Sequence, residues 1–270
     1  MSTKSARLRS IAFALMYIVL HVAVSYILFN ICFIWSKLGS GLSVAQVEKN
    51  IMNNSYLLTI VSWIISMIIY TIIGRLRNKP ISEEVADEDV PRIYYFMVAA
   101  LAFGCRFLVA VYYSLAQKIN ILEQSIENAA LSNPDITSKA QLFLAVICAI
   151  MVAPYFEEVL FRGLVMKELT RVFRPWLAIT LQALAFGVIH GVLFQSIFAF
   201  LMGIVLGILY HRTRSIMVSV VCHSTFNITA VFMQGELQLR GMLVFGIGGL
   251  LLCALSMFYI LVNTKKGSSL

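Results

Sequence analysis

"IVSWIISMIIYTII" (residues 60–73) contains no charge and no proline, and its polar and apolar residues do not alternate. A strand in a membrane barrel would place a polar side chain at every second position of a segment of about ten residues. Here Ile and Met occupy both phases, so either face of a strand would be apolar. As a helix the stretch is hydrophobic all round, which suits a hydrocarbon surround. Extended back to Tyr56, it covers roughly 27 Å at the α-helical rise, close to the thickness of a bilayer core.

Seven further runs of this kind follow from the same reading: Ile11–Trp35, Tyr94–Leu115, Gln141–Phe161, Trp176–Ile189, Leu193–Tyr210, Ile216–Met233 and Met242–Val262. Across all 270 residues, 60% are hydrophobic and only 13% are charged, about half the charged share of a soluble domain. The expected fold is an all-α integral membrane protein with about eight transmembrane helices, forming one integral domain over residues 1–270. A multi-pass protein of a cell membrane, of the bacterial plasma membrane type, is the corresponding location.

Basic residues set the orientation, because positively charged loops stay on the cytoplasmic side. With the N-terminus inside, the inner segments hold 15 of the 21 Lys and Arg residues. The outer segments hold only Lys37, Lys49, Lys118, Lys139 and Arg240, and Arg106 falls within a span. Both termini are therefore expected to be cytoplasmic. The net charge of +8 follows from this bias and from attraction to anionic lipid headgroups. No basic stripe interleaved with aromatics is present, so no nucleic-acid partner is expected. Cys32, Cys105, Cys148, Cys222 and Cys253 all lie in apolar runs without metal-ligand spacing and read as packing residues.

Polar links are short. "SEEVADEDVP" (residues 82–91) reads as a solvated loop, and "INILEQSIENAAL" (residues 119–131) as a short helix along the outer surface.

Ionisable groups inside spans carry the functional signal, since each costs about 2.5–3.5 kcal/mol on insertion scales. In "APYFEEVLFRG" (residues 153–163), Glu158 and Arg162 are four apart and share a helix face, the spacing of an ion pair. Glu157 points about 100° away, with no basic residue three or four positions distant. A lone acid in such a place suits a general base. His223 and Asn227 are also four apart and could donate two hydrogen bonds to an oxyanion, or simply bond neighbouring helices. His190 is flanked by Gly187 and Gly191, which permit close approach of another backbone. A free acid, two histidines and an amide on three helices supply what amide hydrolysis requires.

"EEVLFR" (157–162), "FGVIH" (186–190) and "HSTFN" (223–227) stand in the order EExxxR, FxxxH, HxxxN. This arrangement resembles the CAAX prenyl endopeptidase and bacteriocin-processing family (CPBP, also called Abi), with a matching core at about 141–233. The resemblance implies an eight-helix intramembrane endopeptidase acting on membrane-anchored proteins or peptides. It also implies roles: Glu157 and His190 activating water, Glu158 paired with Arg162, His223 and Asn227 as the oxyanion site, and Phe186 as a wall. Activity without a resident cofactor is the favoured reading. Zn²⁺ held by Glu157, His190 and His223 is the alternative, although no HExxH occurs. Two other classes remain open: a noncatalytic bacteriocin-immunity or regulatory membrane protein with a membrane partner, and a small transporter.

Depth sets a further expectation. If the fourth span ends at Phe161, Glu157 lies near the inner boundary while His190 lies roughly 20 Å along its helix, and straight parallel helices would not join them. Pro154 and the glycines around His190 point to tilted or broken helices, and the basic loops beside the motif to a cavity opening inward, reachable at Phe161.

Overall fold

A computed structural model describes residues 3–85, 87–131, 134–232 and 237–264, and all regular structure among them is helical. Six helices are long and apolar enough to cross a membrane, and two shorter apolar ones accompany them. This bears out the all-α membrane fold with about eight spans. Met233, Lys265 and Lys266, which entered the sequence reading, lie outside the described residues.

The elements are α1 (Thr3–Ser40), α2 (Val44–Asn53), α3 (Ser55–Leu76), α4 (Ile93–Ala116), α5 (Asn120–Leu131), α6 (Lys139–Thr170), α7 (Pro175–Val188), α8 (Leu193–Thr213), α9 (Ile216–Phe232) and α10 (Leu239–Asn263). A one-turn helix, Ile81–Glu84, lies in the loop after α3. Helices α1 and α3 pack together and against α6, while α4, α9 and α10 form a second group that α8 joins. Where α4 meets α10 the backbones touch: a Cβ on Gly104 would fall 2.9 Å from the Gly249 carbonyl oxygen.

Among the described residues three apolar clusters result, a small one around Met166, Ile179 and Tyr210 and two larger ones. One gathers Tyr17, Trp63, Tyr70, Leu160, Phe161 and Phe186. The other gathers Val98, Leu101, Leu206, Leu209, Cys222 and Phe226. The candidate site lies between them, where Phe186 of the first core and Phe226 of the second line one cavity.

Helix α6 departs from the expected span. It does not stop at Phe161 but continues to Thr170, because the charges that interrupt its hydropathy are satisfied. Arg162 pairs with Glu158, and Glu168 pairs with Arg77 and Arg171. Two π-helical stretches, Cys148–Val152 and Val159–Met166, flank the α-helical turn Ala153–Glu158. Pro154 lacks the N–H that an α-helix would direct to Ile150, and the wider preceding stretch accommodates that loss.

With α6 complete, Glu157 stands roughly 20 Å from its basic end, and His190 lies at a similar distance from the start of α7. The two residues therefore meet at one depth. His190 follows α7 in a turn closed by Gly191 at φ +71°, a left-handed conformation that glycine adopts without strain. Gly187 lets α8 approach so closely that a Cβ there would be 2.8 Å from the Ser196 carbonyl oxygen.

Candidate active site

Four elements converge. Glu157 from α6, His190 after α7, and His223 and Asn227 from α9 all line a cavity of about 240 Å³, closed on its α8 side by Gln195, Phe198, Ala199 and Met202. Glu157 and His190 also line a larger cavity of about 590 Å³, whose far wall comes from α1, α2 and α3. That wall includes His21, Thr59, Ser62 and Trp63.

The fixed charge beneath the site is the Glu158–Arg162 pair, both side chains fully buried. Arg162 Nη1 donates to Glu158 Oε1 at 3.0 Å, and its Nη2 donates to the Gly203 carbonyl at 3.3 Å. The same carbonyl accepts from Gln182 Nε2 at 2.8 Å. The Arg162 guanidinium also lies 4.9 Å from the centre of the Phe186 ring. Phe186 stands edge-to-face with Phe161, His190 and His223, so it packs against the arginine of the buried pair and against both histidines.

Each histidine has one nitrogen committed. His190 Nδ1 lies 2.7 Å from the Phe186 carbonyl oxygen, which can only accept, so Nδ1 carries the proton and a neutral ring has Nε2 as its acceptor. His223 Nδ1 lies 2.9 Å from Glu158 Oε1, and its Nε2 lies 3.9 Å from Glu157 Oε2. Asn227 Nδ2 donates to the Ala149 carbonyl at 2.8 Å, which fixes the amide at the edge of the cavity.

The ion pair was readable from spacing. The tie between Glu158 and His223 was not, because α6 and α9 meet only in the fold. Gln195, Gln182 and His21 were also missed. His21 stacks on Trp63 at 3.6 Å, and Trp63 in turn stacks on Phe156, the neighbour of Glu157. Gln182 did carry a sequence signal, an amide one turn before Phe186 in a helix that is otherwise apolar except for Thr180. Arg106 is placed with its guanidinium 5.8 Å from the Phe226 ring.

Two expectations are corrected. Phe161 is fully buried and is not a reachable position beside the motif. The larger cavity does not lie at the basic end: its walls run from His21 to Phe29 on α1 and include Ile51, Met52 and Ser55, residues of the opposite half of the bundle.

As placed, the residues do not fit a zinc centre. Among the described residues no group of three His, Cys, Asp or Glu side chains could hold a metal ion.

Residues 139–229 match the family model described as Rce1-like, type II CAAX prenyl endopeptidase. The match is consistent with a CPBP-family protein. It covers about a third of the chain and contains every residue of the three motifs. At the family level it supports a CAAX-type intramembrane protease. No curated protein and no solved structure matches the chain.

Proposed function

We propose that the protein is an intramembrane endopeptidase that hydrolyses a peptide bond of a membrane-anchored protein or peptide. The observation that carries this reading is the convergence of Glu157, His190, His223 and Asn227 on one cavity that adjoins a larger one. The smaller space is of a size for water and a scissile carbonyl, and the larger for a length of polypeptide. Unwound backbone in a membrane needs polar partners, and Ser25, Ser55, Thr59 and Ser62 supply them along the larger cavity.

In this mechanism a water sits between Glu157 and His190 Nε2. As the water oxygen bonds to the scissile carbon, Glu157 takes one of its protons, and the carbonyl π electrons move to oxygen. The tetrahedral oxyanion accepts hydrogen bonds from Asn227 Nδ2 and from His223 Nε2. The second bond requires His223 to carry both ring protons, with Nδ1–H donated to Glu158. Collapse then breaks the C–N bond, and Glu157 returns its proton to the leaving amine, which restores the starting state. No resident metal takes part. The substrate is membrane-associated, and a plasma-membrane location with the basic end toward the cytoplasm completes the reading.

The decisive experiment compares membrane and released peptides from cells making the native protein or Glu157→Gln at matched abundance. Peptides whose release needs Glu157 establish a protease and identify its cleavage site. Identical peptide profiles from an enzyme-bearing membrane would favour the immunity or regulatory reading.

A further inference from the structure

A cavity of about 710 Å³ lies at the basic end, remote from the site and lined by Arg7, Arg9, Phe13, Arg77, Lys79 and Arg171 together with two small residues of α1. Three separate parts of the chain supply its five cations: the start of α1, the turn after α3 and the end of α6. Among the described residues, Glu168 and Glu84 pair with two of these groups. Glu168 is shared by Arg77 and Arg171, and Glu84 also pairs with Arg171. The lining itself holds five basic residues and, among the described residues, no acid.

Part of the lining is also held rigid. Arg77 donates to the Tyr17 hydroxyl at 2.9 Å and to Glu168 at 2.6 Å, and its guanidinium lies 3.4 Å over the Phe13 ring. An arginine clamped in this way keeps other N–H donors in a fixed direction, the arrangement that suits a phosphate. We infer that this cavity binds a phosphate-bearing anion, with Arg7 and Lys79 closing over a platform formed by Arg77 and Arg171. Burial, followed by the nearby Arg171, holds the Lys79 ammonium below its ordinary value, as expected for a cation short of negative charge. The cavity lies beside the start of the long apolar run of α1, and α1 exposes Leu8 and Leu15 there. A phospholipid headgroup would enter there with its chains against α1. Free phosphate offers the same chemistry from solution.

The test uses full-length protein purified in neutral detergent and native mass spectrometry during titration with phosphatidylglycerol or phosphatidylcholine. A parallel melting curve is recorded with inorganic phosphate against chloride at equal ionic strength. The double variant Arg7→Gln/Lys79→Gln removes two cations that have no structural ion pair among the described residues. A control, Arg75→Gln/Arg212→Gln, removes two basic residues from the same end but outside the cavity. Tight phosphatidylglycerol binding, weakened roughly ten- to thirtyfold in the first variant but not in the control, supports a lipid site. Stabilisation by inorganic phosphate with the same dependence on Arg7 and Lys79 supports a soluble source. Equal losses in both variants would mean diffuse attraction to an anionic surface and would overturn the proposal, as would no binding of either probe. The melting temperature of the first variant without added anion shows whether it is folded. If it is not, the single variants Arg7→Gln and Lys79→Gln are read in the same way.

Discussion

His223 Nδ1 and Glu158 Oε1 stand 2.9 Å apart, on the same oxygen that accepts from Arg162 at 3.0 Å. One carboxylate thus anchors a helix and orients a histidine of the site. Breaking a buried ion pair from one side costs about 3–5 kcal/mol, so Glu158→Ala and Arg162→Ala should both accumulate poorly and melt early. The apolar pair Glu158→Leu/Arg162→Met should recover much of that stability and still lack proteolysis, because His223 has lost its partner. Melting temperature and turnover on purified protein decide this. Full activity in the apolar pair would leave Glu158 only a structural role.

Glu157 should behave differently. Its side chain is partly accessible at 17%, and His223 Nε2 stands 3.9 Å from its carboxylate. Glu157→Gln keeps the shape and strands no buried charge. Expected is a native melting temperature with proteolysis abolished, measured on the same preparations. A melting temperature lowered as far as in Glu158→Ala would contradict this assignment of the two acids.

Asn227 tests the oxyanion site. Its Nδ2 spans from α9 to the Ala149 carbonyl, so removal loses one interhelical hydrogen bond of about 1 kcal/mol. Asn227→Ala should lower kcat by about a hundredfold or more with little change in KM. A variant that is less stable yet fully active per folded molecule would show that the bond to Ala149 is its whole purpose.

The fold was legible because hydropathy alone places helices in a membrane, and all eight expected spans have their counterparts. What hydropathy could not show was the end of α6. Arg162, Lys167, Glu168 and Arg171 break the apolar run, but Glu158, Arg77 and Glu84 satisfy three of these charges, and the helix continues through them. The acidic loop misled for the same reason. Glu84 pairs with Arg171, Asp87 Oδ1 accepts from the Met217 amide at 3.3 Å, and Val85 packs over Gly163, so the segment is docked on the bundle rather than wholly solvated. Spacing of four within a helix revealed Glu158–Arg162 and His223–Asn227. No spacing could reveal His223–Glu158 or the place of His21 in the larger cavity, since these depend on which helices become neighbours.

Metal dependence is open to direct measurement. With water activated by Glu157 and His190 alone, proteolysis by detergent-purified protein should survive prolonged incubation with a strong zinc chelator. Elemental analysis should find well under one zinc per chain. Loss of activity that returns on adding zinc would instead require Glu157, His190 and His223 to close around a metal ion.

The final prediction concerns the side from which substrate enters. The larger cavity is bounded by Ser55 at the start of α3, whereas Ser10 lines the basic cavity at the other end of α1. If basic residues face the cytoplasm, the entrance to the site faces away from it or opens sideways into the outer half of the bilayer. In a background lacking the five native cysteines, Ser55→Cys should react with a membrane-impermeant thiol reagent in intact cells, and Ser10→Cys only in inside-out vesicles. The reverse pattern would turn the whole bundle over and place the entrance on the cytoplasmic side. Labelling of both cysteines from one side would contradict the placement of the two cavities in opposite halves of the bundle: along α1, Ser10 and Phe29, which line one cavity each, stand roughly 28 Å apart at 1.5 Å per residue, about the thickness of a bilayer core.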